Sequence, residues 1–122
     1  MVIEANIENA SIVNITSVSP KVGNPYQVNY NVSKGCVDDL TIAIASEMSM
    51  INIRCNAVRP GFIDTPLMAD VSQRFVDLCL KNIMINRIAQ PSEVSKAIVY
   101  LLSPMSSYIT GCIIEISGGY EI

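Results

Sequence analysis

In this chain of 122 residues, the spacing between hydrophobic residues switches repeatedly between values typical of a strand and values typical of a helix. A short β-branched run over 11–17 predicts a buried strand, and apolar residues at every fourth position over 29–50 predict a long amphipathic helix. A second strand over 51–58, a helix over 91–102 and a third strand over 111–117 follow. Crossovers of this length require parallel pairing, so the sequence predicts an α/β fold in which helices flank about three parallel strands.

Both predicted helices have an apolar stripe that we expect to face the sheet. The stripe of the first helix recurs every four residues and consists of Val32, Cys36, Leu40, Ile44 and Met48, joined by Val37 and Ala43. The stripe of the second consists of Val94, Ala97, Ile98, Leu101 and Leu102. We expect one partial domain over 1–122, in which the mixed segment 62–89 is long enough to form a lid or substrate loop.

Polar residues follow the ends of the predicted strands. Ligands of parallel sheets bind beyond the carboxyl ends of the strands, which brings Ser17, the Pro60-Gly61 turn and Gly118-Gly119 to one rim. Tyr30 and Lys34 are four residues apart on the first helix and therefore project from one face of it. An ammonium beside a phenol favours the phenolate, so the three side chains could form a hydroxyl orienter, a general acid-base and a tuning cation.

Several function classes are excluded by composition. There is no histidine, which removes Ser-His-Asp and Cys-His catalysis. The net charge of −3 does not favour binding to nucleic acid or to an anionic membrane. The longest apolar run, 97–102, is too short for a membrane helix. The first residues lack the basic and apolar regions of a secretory signal. Four cysteines without metal-ligand spacing are expected to be reduced and buried, in an intracellular compartment such as the cytoplasm or the mitochondrial matrix.

Each of these patterns also has a purely structural interpretation. A tyrosine with a lysine four residues later arises by composition alone in many helices, and the Pro60-Gly61 segment could be an ordinary turn at the end of a strand. Asp38-Asp39 and Asp70 are interpreted as solvated faces rather than metal ligands, and no metal site is predicted. Arg87 is expected to form a structural ion pair, with a dimer contact as the lesser alternative.

Taken together, the motifs resemble one family, the short-chain dehydrogenase/reductases, over essentially the whole chain. The matching segments occur in the order of that family: 11–17, 21–25, 29–35, 53–57, 59–66, 90–94, 108–111 and 118–119. Within the family, Lys-Val-Gly-Asn and Ile-Arg-Cys-Asn are most similar to the 3-oxoacyl-acyl-carrier-protein reductases and the related estradiol 17-beta-dehydrogenases of type eight.

The resemblance implies a Rossmann-like fold and an NAD(P)-dependent oxidoreductase that moves hydride between the nicotinamide and a carbonyl or secondary alcohol. It implies that Ser17 binds the substrate carbonyl, that Tyr30 is the proton donor or acceptor, and that Lys34 binds the nicotinamide ribose. Tyr30 and Lys34 thus also belong to the expected cofactor site. The remaining cofactor residues would be Pro60, Gly61, Ile63 and Thr65, where the Ile63 backbone and the Thr65 hydroxyl hold the carboxamide and phosphates.

The expected substrate is a small carbonyl or alcohol compound of the 3-oxoacyl or steroid-like type. Phe62 and Met68 are expected to contact it beside Ser17, and Leu67, Phe75 and Leu78 could extend an apolar pocket, although an apolar stripe is equally often core. The resemblance also implies a dimer or tetramer of the full-length form, in which the helix over 29–50 pairs with another subunit.

One departure from the family is large. The Gly-rich strand-turn-helix that binds the adenosine and pyrophosphate has no counterpart here, and Met1 corresponds to the end of the helix that precedes Ser17 in the family. We therefore expect the catalytic half of a doubly wound sheet whose N-terminal βαβ units are missing, with an uncovered strand edge. Two hypotheses remain open: an oxidoreductase, or an inert fragment that acts only by associating with full-length subunits.

Overall fold

The computed structural model describes residues 9–68 and 71–121, and the expectations for Met1 and Asp70 lie outside them. This part of the chain has three strands with two α-helices between each successive pair, and three short 3₁₀ helices. The strands are β1 (Ser11–Ile15), β2 (Arg54–Pro60) and β3 (Ile113–Ile116), and the helices are α1 (Ser19–Val22), α2 (Val28–Met48), α3 (Gln73–Lys81) and α4 (Pro91–Leu102).

The three strands form one parallel sheet in the order β1-β2-β3. The register pairs Asn14 with Ala57, and Ala57 with Ile113. The predicted α/β architecture, with a partial doubly wound sheet, is confirmed. One helix packs on each face of the sheet: Asn14 of β1 contacts Thr41 of α2, whereas the adjacent Val13, which points to the other face, packs against the cluster that contains Leu101 of α4.

The bounds of the second strand differ from those predicted. It begins at Arg54, since a 3₁₀ turn over Ser49–Ile51 and a left-handed Asn52 (φ 57°) occupy the preceding residues. It also continues through Pro60, which was expected to terminate it. Proline is tolerated there because only its carbonyl is needed, and that oxygen accepts a hydrogen bond from Val18 N at 3.1 Å.

The main core lies between the sheet and α4. Its buried members are Val58, Val94 and Leu101, and Ala97 and Ile98 are packed against them as predicted. Leu102 is 48% exposed, so its placement on the inner face was wrong. Burial of each large aliphatic side chain contributes about 1.5 to 3 kcal/mol, which makes this cluster a major source of stability.

The sheet-facing side of α2 includes only part of the apolar stripe that was predicted, because Val37, Ile44 and Met48 are half-buried but the other members are exposed. Thr41 and Ala45 are buried against the sheet, whereas Val32 is 61% and Leu40 is 52% exposed. The prediction failed for the exposed members because hydrophobicity was taken to mark the inner face. Small residues allow the helix to approach the strands, and the Thr41 hydroxyl accepts a hydrogen bond from Asn14 Nδ2 at 3.0 Å.

The expectation for Asp38 was wrong, and the expected burial of the cysteines holds for two of the four. Asp38 is half-buried and forms an ion pair with Arg59 at 2.6 Å, where a solvated face was predicted. Among the four cysteines, Cys55 and Cys79 are buried, but Cys36 and Cys112 are exposed. Cys36 is exposed because it lies on the outward side of α2. Cys112 is exposed because it lies just before β3, at the N-terminal end of the strands.

A strand edge is uncovered, as expected, within the part of the chain that the structure describes. β1 pairs only with β2 there, and Ile12 and Ile15 of β1 are 37% and 43% exposed. Of the helices described, none is both long enough and apolar enough to span a bilayer.

Candidate active site

Ser17 lies two residues beyond the end of β1, at the rim of the sheet. Its hydroxyl oxygen accepts a hydrogen bond from Ser19 N at 3.1 Å, because the chain turns directly into α1. The half-buried side chain is therefore oriented by its own turn. The Ser17 hydroxyl proton makes no hydrogen bond within the described residues, so it is available to a ligand carbonyl.

Tyr30 and Lys34 lie in the first two turns of α2. This part of the helix packs beside the end of β1. The Tyr30 side chain is 42% exposed, and no side-chain hydrogen bond is recorded for it within the described ranges. Lys34 Nζ donates to the carbonyl oxygen of Ile15 at 2.9 Å, and the Lys34 carbonyl accepts from Thr16 Oγ1 at 2.9 Å. These two contacts join Lys34 to the same strand end that precedes Ser17.

The end of β2 lies beside Ser17 and completes the rim. Val18, the residue after Ser17, donates its N–H to the carbonyl of Pro60, and Gly61 N donates to Ile116 O at 3.0 Å. A Cβ on Gly61 would lie 2.9 Å from the Ser117 Cα, so only glycine allows the two strand ends to approach this closely. The three predicted rim segments therefore meet at one edge.

The backbone of Ile63 offers a donor and an acceptor side by side. Its neighbours are fixed, since Asp64 N donates to Ala89 O at 2.8 Å and Ala89 N donates to Phe62 O at 3.1 Å. The N–H and C=O of Ile63 itself make no hydrogen bond with the described residues. A carboxamide needs one donor and one acceptor, so this peptide could hold such a group.

Thr65 borders an open cleft of about 430 Å³. The cleft lies between the turn after Ile63 and helix α3, and it is lined by Asp64, Thr65, Pro66, Met68, Val76 and Ile88. Its walls are largely apolar, with the Thr65 hydroxyl and the Asp64 carboxylate as the polar groups. The Lys34 ammonium does not line this cleft, but it has two further protons to donate. These donors and the peptide of Ile63 are the kinds of group that the ribose and the carboxamide of a nicotinamide cofactor need.

The expected substrate-contact residues have different surroundings. Met68 lines the cleft, whereas Phe62 packs edge-on against Tyr120 at 5.1 Å and Phe75 at 6.2 Å. Leu67 is 87% exposed, and Leu78 is also exposed. Phe62 thus packs against a buried cluster of Val18, Ile83 and Tyr120.

A group of polar residues near the site was missed in the sequence. The hydroxyl of Ser19, a buried residue, lies 2.6 Å from Asn31 Oδ1 and 2.9 Å from Gln27 Oε1, and it accepts from Asn24 Nδ2 at 3.0 Å. The only sequence signal was the density of polar amides between a strand and a helix. Such residues are common in turns, so the pattern did not indicate a tertiary contact.

The predicted ion pair of Arg87 is present. Its two terminal nitrogens donate to the Glu93 carboxylate at 2.8 and 2.6 Å, and Gln90 N donates to Glu93 Oε2 at 2.8 Å. These hydrogen bonds to the charged form lower the pKa of Glu93 to about 2. The pair joins the loop before α4 to the first turn of that helix. Both residues are far from Ser17 and Tyr30 in the sequence.

Comparison with known proteins gives a consistent family. Residues 2–121 match the profile of the family described as Enoyl-(Acyl carrier protein) reductase. A 3-oxoacyl-[acyl-carrier-protein] reductase of Thermotoga maritima is 44% identical over 114 residues, which are 93% of this chain and 46% of the relative. A (3R)-3-hydroxyacyl-CoA dehydrogenase of Canis lupus familiaris is 43% identical over 109 residues, 89% of this chain and 42% of the relative.

The fold has a solved counterpart of the same kind. The crystal structure of a 3-oxoacyl-[acyl-carrier protein] reductase with bound NAD from Brucella melitensis superposes with a TM-score of 0.87 at 30% identity, over 99% of this chain and 44% of that one. The chain thus spans less than half the length of these relatives. Since the family profile covers nearly all of its residues, the chain belongs to the short-chain dehydrogenase/reductases and is similar to their 3-oxoacyl-acyl-carrier-protein reductases.

Proposed function

We propose that this chain carries the catalytic residues of an NAD(P)(H)-dependent oxidoreductase acting on a carbonyl or secondary alcohol. The observation that carries the proposal is the hydrogen bond from Lys34 Nζ to Ile15 O at 2.9 Å. It ties the helix that bears Tyr30 to the strand end that precedes Ser17. Family membership supports the reaction type. The names of the two relatives at 44% and 43% identity support a 3-oxoacyl or hydroxyacyl substrate, whereas a 7alpha-hydroxysteroid dehydrogenase at 36% identity supports the steroid-like alternative.

In the reducing direction, a nicotinamide cofactor, when bound, would supply hydride to the carbonyl carbon. The Ser17 hydroxyl donates a hydrogen bond to the substrate oxygen and orients it, because its own oxygen is already held by Ser19 N. Tyr30 gives its phenolic proton to that oxygen, which becomes the alcohol. The Lys34 ammonium stabilises the resulting phenolate and binds the ribose with its remaining protons. Oxidation runs through the same groups in reverse.

We assign the rest of the cofactor contacts to the end of β2. The peptide of Ile63 pairs with the carboxamide, the Thr65 hydroxyl faces a phosphate or the carboxamide, and Pro60-Gly61 gives the backbone room to approach. Met68 contacts the substrate from the cleft, and Phe62 supports that wall from its edge-on packing against Tyr120. Cysteines without a disulfide favour a reducing compartment, the cytoplasm or the mitochondrial matrix.

Cofactor binding and a tyrosine substitution test this proposal. NADH and NADPH fluorescence is titrated with the 122-residue chain, and turnover of a 3-oxoacyl thioester is measured for Tyr30→Phe. Removal of a general acid-base lowers turnover about 100-fold or more. Tyr26→Phe is the matched control, because Tyr26 is fully exposed. A Tyr30→Phe variant as active as this control contradicts the assignment.

A second function is favoured by the uncovered apolar surface. Ile12 and Ile15 on the edge of β1, and Val32 and Leu40 on α2, are exposed together with unpaired strand backbone. On this alternative the 122-residue polypeptide is catalytically inert and associates with full-length subunits, which in the family form dimers or tetramers. Absence of cofactor binding, combined with co-elution with such subunits, supports it, whereas micromolar cofactor binding by the isolated chain rejects it.

A further inference from the structure

The first turn of α2, which bears Tyr30, begins without a side-chain cap. Its N-cap residue, Gln27, has φ −121° and ψ 31°, and its side chain makes no capping hydrogen bond. The first turn contains no acidic residue to interact with the helix dipole. A helix start of this kind frays readily unless tertiary contacts hold it.

Buried Ser19 supplies such a contact. Its hydroxyl has one proton and lies 2.6 Å from Asn31 Oδ1, the shorter of its two amide-oxygen distances, so it donates to Asn31. Asn31 Nδ2 in turn donates to the backbone carbonyl of Asn24 at 3.2 Å. The Asn31 side chain therefore links α1 and the following loop to the first turn of α2.

Tyr30 directly precedes two such links on α2. The Ser19–Asn31 contact begins one residue after Tyr30, and the Thr16–Lys34 contact begins four residues after it. Both links start from the segment that contains Ser17. The first two turns of α2 are consequently held against the Ser17 segment by two hydrogen bonds, and the Ser19–Asn31 bond is the one adjacent to Tyr30.

We propose that Asn31 is a positioning residue: through Ser19 it holds the first turn of α2 on α1, and so fixes the Tyr30 phenol relative to the Ser17 hydroxyl. The inference rests on the proposed catalytic roles of these two residues. Asn31 itself touches neither substrate nor cofactor in this scheme. Its effect comes from geometry, since a displacement of about 1 Å at a reacting group can cost about 100-fold in rate.

The test compares Asn31→Ala with Asn29→Ala, the same substitution at an exposed residue on the other side of Tyr30. Tyrosine ring resonances are recorded by NMR, with Tyr30→Phe for assignment, together with amide hydrogen exchange. We expect Asn31→Ala to shift the Tyr30 ring resonances and to speed exchange at Val32 and Lys34 at least fivefold, while Ala45 in the middle of α2 is unchanged. Asn29→Ala should leave all three amides and the ring unchanged.

Rescue separates positioning from simple destabilisation. Asn31→Asp keeps an oxygen for the Ser19 hydroxyl and should restore the Tyr30 resonances, and Ser19→Ala should reproduce the effect of Asn31→Ala without adding to it. If Asn31→Ala does not fold, Asn31→Ser, whose hydroxyl is too short to bridge the gap, replaces it. Exchange that rises equally at Ala45, or Tyr30 resonances that match those of Asn29→Ala, overturns the inference.

Turnover distinguishes this inference from the proposed function. In protein that turns over, Asn31→Ala should lower kcat about tenfold and leave KM for the cofactor within about twofold. An unchanged kcat contradicts positioning even if Tyr30→Phe is inactive. If Tyr30→Phe keeps full activity, the proposed function fails, whatever the NMR result for Asn31→Ala.

Discussion

Thr16 Oγ1 donates a hydrogen bond to the carbonyl oxygen of Lys34 at 2.9 Å, which joins the end of β1 to the second turn of α2. Thr16 is only 3% exposed, so this contact is shielded from water. The Lys34 ammonium donates a hydrogen bond to the carbonyl oxygen of Ile15, the residue before Thr16. Lys34 is thus held at both its backbone and its side chain by the same strand end.

Replacement of Thr16 by valine should weaken this junction. The isosteric Thr16→Val variant loses the hydroxyl donor and should lower the free energy of unfolding by about 1 kcal/mol, the net contribution of a typical hydrogen bond. Urea unfolding measures the loss. Thr16→Ser keeps the hydroxyl and should retain the bond, so a serine variant as unstable as the valine variant would indicate that the methyl group matters instead.

Arg54 should be a major determinant of stability. Its guanidinium donates to Leu101 O at 3.0 Å and Ser103 O at 3.1 Å at the end of α4, and to Ile109 O at 3.3 Å in the segment that leads to β3. Arg54→Met removes these charge-assisted bonds and should cost about 2 to 3 kcal/mol in unfolding free energy.

The matched control for this variant is Arg74→Met, at an exposed position of α3, which should change stability by less than about 0.5 kcal/mol. Chemical denaturation of both variants under one set of conditions makes the comparison. Equal losses at the two positions would contradict the structural role given to Arg54.

The Arg87–Glu93 pair should make the stability of the fold depend on pH in the acidic range. The pKa of Glu93 is lowered from 4.5 to about 2 in the folded state, chiefly by the Arg87 hydrogen bond. Its contribution is therefore complete above pH 4.5 and is lost as the pH falls from 4.5 toward 2. Thermal melts between pH 2 and pH 6 should show a shallower decline for Glu93→Gln than for the parent chain, and parallel curves would refute the assignment.

Two glycine-to-alanine substitutions should have opposite effects. Gly61→Ala places a Cβ 2.9 Å from Ser117 Cα, and relief requires the backbone to move, so a loss of about 1 to 3 kcal/mol is expected. Gly35→Ala, in the interior of α2, meets only Pro20 Cβ at 3.7 Å and should gain about 0.5 to 1 kcal/mol. Calorimetry of the two variants gives the sign of each effect.

The sequence by itself determined the order of elements and their parallel pairing. The period changes from strand to helix are local, and crossovers of helical length leave only parallel strands, so β1, β2, β3 and α4 were predictable. It also indicated which residues would meet at the rim, because the carboxyl ends of parallel strands share one edge. The close approach of Gly61 to Ser117 agrees with that prediction.

Only the tertiary structure decided which face of α2 is buried and how the site is held together. The outward position of Val32 and Leu40, and the inward position of Thr41 and Ala45, depend on how closely the helix can approach the strands. The Ser19–Asn31 and Asp38–Arg59 contacts join residues 12 and 21 positions apart. Periodicity reports the average polarity of a face, whereas such contacts depend on the distance between particular atoms, which is fixed only when the elements pack.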